Sequence, residues 1–270
     1  QGSGIVTTAY KVNRGEVPDL RDDHDDLGMV RVQGSVHAQR AVEATAHRLA
    51  ELGYDLREDV QILAPMYNSE AGVDDLNQML QYLAHDGDTS AARDGRKFGG
   101  TLMIPGDRVM QTTNNYDLGV YNGDVGTVDD VAGDGEYLAP VDELEDHDGL
   151  EAVLAGGDDD DRDISVRVDY PDGRTVGYTA FEAASELELA YACTIHKAQG
   201  SEYPVAVVVL TSSHWIMCER TLLYTAITRA ADFGVVIAEP RALQRACEHH
   251  SPVDRHRALA ERLENTGGRS

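Results

Sequence analysis

Residues 193–204 read CTIHKAQGSEYP and place a hydroxyl, an imidazole, an ammonium, an amide, a glycine and a carboxylate between two apolar runs. Thr194, His196 and Gln199 can reach phosphate or sugar oxygens, and Lys197 adds positive charge. Gly200 lets a backbone come close to a phosphate, and Glu202 can accept hydrogen bonds from ribose hydroxyls. The same residues also suit a capped turn between a strand and a helix. A second cluster, ERTLLYTAITRA at 219–230, carries Arg229 late in an otherwise apolar helix. An arginine buried without a partner costs on the order of several kcal/mol, so an anion is expected there. A transferring γ-phosphate matches best, because a guanidinium spans two oxygens and stabilises developing charge. The plain alternative is a carboxyl-terminal helix arginine meeting the helix dipole.

The elements around these clusters alternate. Residues 4–20 read as a helix capped by Ser3, ended by Gly15 and blocked by Pro18. MVRVQG (29–34) reads as a strand, 37–53 as an amphipathic helix closed by Gly53, DVQILAP (59–65) as a buried strand, and a helix opens near Val73. Strand and helix in alternation imply an α/β layer around a parallel sheet. From 99 to 185 the pattern changes to short strand-like pieces separated by turn signals such as YNGD and YPDG. This implies a small β-barrel inserted into the α/β domain. The α/β rhythm resumes at Leu187, with VAVVV (205–209) as a central parallel strand, a helix from about 218 to 229, a strand at 233–240 and a terminal helix or helix pair. Ligands of open α/β sheets gather outside the carboxyl ends of the strands, so residues 193–203 should line one edge of such a cleft.

Composition narrows the class. The 270 residues suffice for one large domain or two small ones. No apolar run approaches the ~20 residues that cross a bilayer, and no signal peptide is visible, so no membrane partner and a cytoplasmic location are expected. Three widely spaced cysteines without a CxxC argue against a disulfide framework or structural zinc, and no resident metal is expected on this chain. The net charge of −25 looks wrong for a nucleic-acid binder, but fifteen acids against one arginine between Asp129 and Asp163 supply −14 of it. An acidic loop of about 132–163, expected to be mobile, can hang away from a binding groove without cancelling it. The acids lie in such loops rather than at strand ends, which argues against a nuclease.

Together, CTIHKAQGSEYP and LLYTAITRA resemble motifs V and VI of superfamily 1 helicases, in the form found in RecD-like enzymes of the exodeoxyribonuclease V alpha-subunit family. QILAPMYNSEAGVDDLNQML and GDRVMQTTNNYDLGVYNGDVG resemble two further segments of that family, the second opening its SH3-like insert. The opening QGSGIVTTAYKVNRGEVPDL resembles the segment that begins with the Gln of the family's RQ element. The resemblance runs nearly end to end and is weakest over 129–163. It implies a RecA-like parallel sheet with helices on both faces, formed by 1–98 and 186–270, interrupted by an SH3-like barrel at 99–185. It implies that Arg229 contacts γ-phosphate, that Glu202 meets the ribose, and that Gly200 and Gln199 adjoin the nucleotide. It implies that Thr194, His196, Pro65, Met66, Tyr67 and Asn68 face single-stranded DNA, with Asn114, Asn115 and Tyr116 as contacts at the barrel junction. Either tyrosine could stack a base, or serve only in packing.

The phosphate-cradling loop GxxxxGK[ST] is absent from the sequence, and no apolar strand in it ends in an Asp-Glu pair for magnesium. In the resembled family both belong to a first RecA-like domain. The expectation is therefore the carboxyl-terminal motor half of an ATP-dependent DNA helicase, moving 5′-to-3′ as the resemblance implies. ATP with Mg2+ is the expected cofactor, and the chain's own amino-terminal RecA-like domain, carrying the Mg2+ ligands, is the expected partner. Alone, this half is expected not to hydrolyse ATP. Two alternatives stand beside it: a helicase subunit of a multi-subunit exodeoxyribonuclease, and a non-catalytic nucleic-acid-binding scaffold.

Overall fold

The computed structural model describes residues 3–21, 24–88, 92, 94–132 and 163–249. The expected acidic loop, the second terminal helix and Gln1 fall outside the described residues.

In chain order the elements are α1 (Gly4–Asn13), β1 (Leu27–Arg31), α2 (Ser35–Glu51), β2 (Val60–Ala64), α3 (Val73–Ala84), β3 (Arg96–Phe98), β4 (Thr101–Met103), β5 (Arg108–Gln111), β6 (Val125–Val131), β7 (Ile164–Asp169), β8 (Thr175–Thr179), α4 (Ala180–Glu186), β9 (Leu187–Leu189), β10 (Ala192–Thr194), β11 (Tyr203–Leu210), a 3-10 turn (Ser212–Met217), α5 (Arg220–Ile227), β12 (Ala230–Ala238) and α6 (Pro240–Glu248). The chain divides into two compact units. One comprises the residues up to Tyr54, Asp59–Asp75 and those from Cys193 onward, and the other comprises Asp55–Glu58 and Leu76–Ala192.

The first unit holds a five-stranded sheet in the order β1-β12-β11-β2-β10. The β1–β12, β11–β12 and β11–β2 pairs are parallel. Strand β2 is buried at every residue and β11 at all but one, as near-continuous apolar runs must be when helices cover both faces. VAVVV lies within this central strand β11, as expected. Helix α2 buries Ala38, Val42, Ala46 and Leu49 at helical spacing and packs on β11 and β12. Helix α1 is shorter than its sequence suggests. Ser3 caps it by accepting from the Val6 amide at 3.2 Å, and Gly15, at φ 80°, follows its end. Helix α1 packs on α5, and α5 on α6.

The second unit is an antiparallel sheet in the order β8-β7-β6-β5-β9, with the pair β3-β4 beside it in sequence. It starts at Leu76 and ends at Ala192, wider than the expected 99–185. Non-local hydrogen bonds explain the difference. Asn77 donates to the carbonyls of Leu189 and Ala192, both at 3.0 Å, and accepts from the Ala192 amide at 2.7 Å. The fully buried Asp107 accepts from the Ile104 amide (2.7 Å), the Gln81 amide nitrogen (2.5 Å) and the Tyr191 hydroxyl (2.9 Å), and pairs with His85 (2.9 Å). Burial, followed by the adjacent Asp107, pushes the Tyr191 phenol well above its ordinary range.

Candidate functional site

Two loops meet at the carboxyl end of β2. The Ile195 amide donates to the Ala64 carbonyl at 3.1 Å, which brings the turn after β10 against the loop after β2. Thr194 is nearly buried, and its hydroxyl accepts from the Lys197 amide at 3.3 Å, capping the turn. His196 is exposed. The Lys197 ammonium lies 5.2 Å from the Tyr67 ring centroid, a cation–aromatic pair across the two loops. Pro65 is buried and shapes its loop without presenting a side chain, Met66 and Tyr67 are half-buried, and Asn68 is exposed. The loop is wound tightly: the Gly72 amide donates to the Ser69 carbonyl at 2.7 Å and the Val73 amide to the Met66 carbonyl at 3.1 Å. Ala71 takes a left-handed conformation at φ 61°.

The other half of the cluster lies elsewhere. The Val205 amide donates to the Asp59 carbonyl at 3.0 Å, so β11 begins beside the amino end of β2. Residues 195–202 therefore travel the length of β2, about 17 Å at ~3.3 Å per residue. The expectation that 193–203 lines one edge at the carboxyl ends is corrected accordingly. Thr194, His196 and Lys197 stand at that end, whereas Gly200, Ser201 and Glu202 stand at the amino end of β11. Gly200 has φ 92°, and a Cβ built there would meet nothing within 4 Å. Glu202 and Gln199 are exposed.

Arg229 joins this second group. It lies in the turn before β12, two residues beyond the end of α5 at Ile227, rather than inside the helix. Its Nε donates to the Thr225 carbonyl at 3.1 Å, Nη1 to the Ser201 carbonyl at 2.8 Å and Nη2 to the Thr228 hydroxyl at 3.3 Å. The Tyr203 amide in turn donates to the Arg229 carbonyl at 2.9 Å. All three acceptors of the guanidinium are neutral, and no carboxylate pairs with it among the described residues. Nη1 and Nη2 each keep one N–H for a ligand. The contact with Thr225 also meets the carboxyl end of α5, so the dipole reading of the sequence is satisfied in the same geometry.

The barrel candidates separate. Asn115 spends its amide on its own unit, donating to Glu186 at 3.1 Å and accepting from the Leu118 amide at 3.1 Å. Asn114 accepts from the Asn122 amide at 2.9 Å. Tyr116 is 75% exposed and meets Tyr121 edge-on, with centroids 6.1 Å apart. Glu186, which also accepts from Gln111 at 2.7 Å, anchors the loop, and the sequence reading passed it over. So were Trp215 and Arg245, stacked with the guanidinium 5.1 Å from the indole centroid. A lone tryptophan just past the end of a buried strand was the available signal.

No group of three or more metal-ligating side chains occurs among the described residues. No helix among them is long and apolar enough to cross a membrane. Residues 76–141 match the family model described as the ATP-dependent RecD-like DNA helicase SH3 domain, and residues 189–246 match the UvrD-like helicase C-terminal domain. An ATP-dependent RecD2 DNA helicase of Deinococcus radiodurans is 31% identical over 259 residues, which is 96% of this chain and 30% of that protein. A RecBCD enzyme subunit RecD of Mycobacterium tuberculosis is 27% identical over 91% of this chain and 36% of its own length. The chain thus spans about a third of these relatives. The crystal structure of Pif1 helicase from Candida albicans superposes with a TM-score of 0.44 at 17% identity, covering 97% of this chain and 57% of that one.

Proposed function

The chain is a RecD-like helicase segment, with the SH3 domain of that family and a UvrD-like helicase C-terminal domain, and from this premise we propose that it forms one wall of an ATP-driven motor on single-stranded DNA. The observation that carries the reading is the path of residues 195–202. One end of the segment is bonded to Ala64, beside Tyr67, and the other is bonded through Ser201 to Arg229. One short segment thus joins a surface suited to a strand of nucleic acid with a surface suited to phosphate.

On the phosphate side, the residues fit one wall of a nucleotide site. Arg229 offers two free N–H groups and an uncompensated charge to the γ-phosphate, Glu202 offers its carboxylate to the ribose hydroxyls, and the backbone at Gly200, with Gln199 beside it, is open to the nucleotide. ATP with Mg2+, when bound, supplies the free energy of hydrolysis. We assign the phosphate cradle and the Mg2+ ligands to the chain's own amino-terminal RecA-like domain. Arg229 is held in place by backbone carbonyls before any ligand arrives, so no reorganisation is needed when charge develops. On the nucleic-acid side, Thr194 fixes the turn that presents His196 and Lys197, and Tyr67 and Asn68 face the strand. Tyr116 is the barrel residue that remains free to stack. Movement of Ser201 with Arg229 shifts Lys197 against Tyr67, which couples nucleotide closure to the grip on the strand.

The 5′-to-3′ direction belongs to the same proposal, as does the lack of ATPase activity in this segment alone. A role as helicase subunit of a multi-subunit exodeoxyribonuclease is the second reading, supported by the relatives named RecBCD enzyme subunit RecD. The test is Arg229→Ala in a chain that includes the amino-terminal domain. ATP turnover should fall about 10³-fold or more, as for arginine fingers, while affinity for oligo-dT stays within about twofold. Retained turnover would refute the assignment.

A further inference from the structure

Trp215 and Ile216 lie on the 3-10 turn that follows β11, and they are 46% and 78% exposed. The two apolar side chains stand side by side in solvent and are available for contact. The turn itself is held firmly. The Thr211 amide donates to His214 Nδ1 at 3.2 Å, the Ser212 hydroxyl bonds Glu239, and the Ser213 hydroxyl donates to the Glu70 carbonyl at 3.0 Å. That last bond joins the turn to the loop that carries Tyr67 and Asn68.

The neighbour of the indole decides what it contacts. Arg245, from α6, stacks on Trp215, and no ion pair engages it among the described residues. Its Nε is shielded from solvent and has no hydrogen-bond partner. A guanidinium with no carboxylate beside it can take an anion. An apolar partner would use the indole and Ile216 but leave the guanidinium unsatisfied. A nucleotide uses both, its base on the exposed indole and its phosphate on the arginine.

The position in the sheet agrees. The order β10-β2-β11-β12 places Lys197 after β10, Tyr67 after β2, Trp215 after β11 and Arg245 after β12. The two cation–aromatic pairs thus follow successive strands of one sheet, the first after β10 and β2 and the second after β11 and β12.

We propose that Trp215 and Arg245 form a second nucleotide platform, which continues the path of single-stranded nucleic acid from the Lys197–Tyr67 pair along the carboxyl ends of β2 and β11. This rests on the single-stranded DNA reading above, and extends it to residues that motifs V and VI do not include.

Trp215 is the chain's only tryptophan, so its fluorescence reports on this site alone. The experiment titrates labelled oligo-dT of about 12 nucleotides into the 270-residue chain, reading label anisotropy and tryptophan emission together. The expected result is quenching that saturates with the anisotropy, and no quenching by an abasic strand of the same length. Trp215→Leu and Arg245→Gln should each weaken binding about tenfold, and Trp215→Phe should retain most of it. Binding by anisotropy with no quenching and no effect of either variant overturns the platform and leaves the motor reading intact. No binding at low salt overturns both. Quenching that follows protein concentration without oligonucleotide also overturns the proposal, because the platform would then be a contact between copies of the chain.

Discussion

Replacing Gly72 with alanine perturbs the loop on which the nucleic-acid side of the site depends. A Cβ at this position would lie 2.2 Å from the Tyr67 carbonyl oxygen, 2.8 Å from the Ser69 carbonyl oxygen and 2.9 Å from the Ser69 nitrogen. Heavy atoms pack comfortably at about 3.5–4.0 Å, so the backbone must yield by more than ~1 Å. All three atoms belong to the main chain, and none can rotate aside as a flexible side chain would. Forced overpacking costs about 1–3 kcal/mol. The bonds from Gly72 to Ser69 and from Val73 to Met66 would be stretched, at about 1 kcal/mol each. The expected loss of stability is therefore about 3–5 kcal/mol, measured as a lower urea midpoint at unchanged slope. Because Tyr67 carries the closest contact, its pairing with Lys197 is lost as well. Affinity for oligo-dT should fall by at least fivefold, the loss of about 1 kcal/mol of stacking. Gly28→Ala is the control. Its Cβ would meet only the Phe233 ring, at 3.7 Å, an ordinary contact. If Gly72→Ala matches Gly28→Ala in both midpoint and affinity, the loop is not the rigid support described above.

Two further perturbations test the packing around the site and the barrel. Asp107→Asn replaces an acceptor of four hydrogen bonds with a group that brings two donors of its own, facing Gln81, the Ile104 amide and Tyr191. Thermal unfolding should show a loss of about 2–5 kcal/mol, and a change below ~0.5 kcal/mol would show that the network is not what orders this unit. Burial, only partly opposed by the Glu239 carboxylate, lowers the His214 imidazole from 6.5 to about 4. Between those values the unfolded chain binds a proton that the folded chain excludes. This contribution to stability is full above about pH 6.5 and is lost as the pH falls toward 4, by on the order of 3 kcal/mol. His214→Gln should remove that part of the slope when its midpoints are compared with those of the parent chain, and parallel profiles would refute it.

What was legible in the sequence was local. VQILA, VAVVV and GVVIA read as buried strands because a strand covered on both faces needs no polar alternation, and the structure places them side by side as β2, β11 and β12. The start of α3 at Val73 and the Ser3 cap of α1 also follow from adjacent residues. The TAFE sequence at 179–182 forms a capping box and could have announced α4, which the sequence reading missed. The candidate residues could be picked out by type, but the same types also suit a capped turn and a helix end, so type alone does not assign them a role.

Their arrangement was not legible, because it depends on register between distant strands. Hydrogen bonds from Ile195 to Ala64 and from Val205 to Asp59 set which end of the sheet each polar residue occupies. Those bonds join segments more than a hundred residues apart, with no periodicity to betray them. The same holds for the barrel, whose boundary moved to Leu76 because Asn77 bonds to Leu189 and Ala192. Sequence patterning determines which residues must be buried and which way each chain segment alternates, since those follow from a few neighbours and from water. Which polar groups end up facing one another is decided only when the sheet closes, because unpaired backbone groups admit few registers and each register carries every side chain with it.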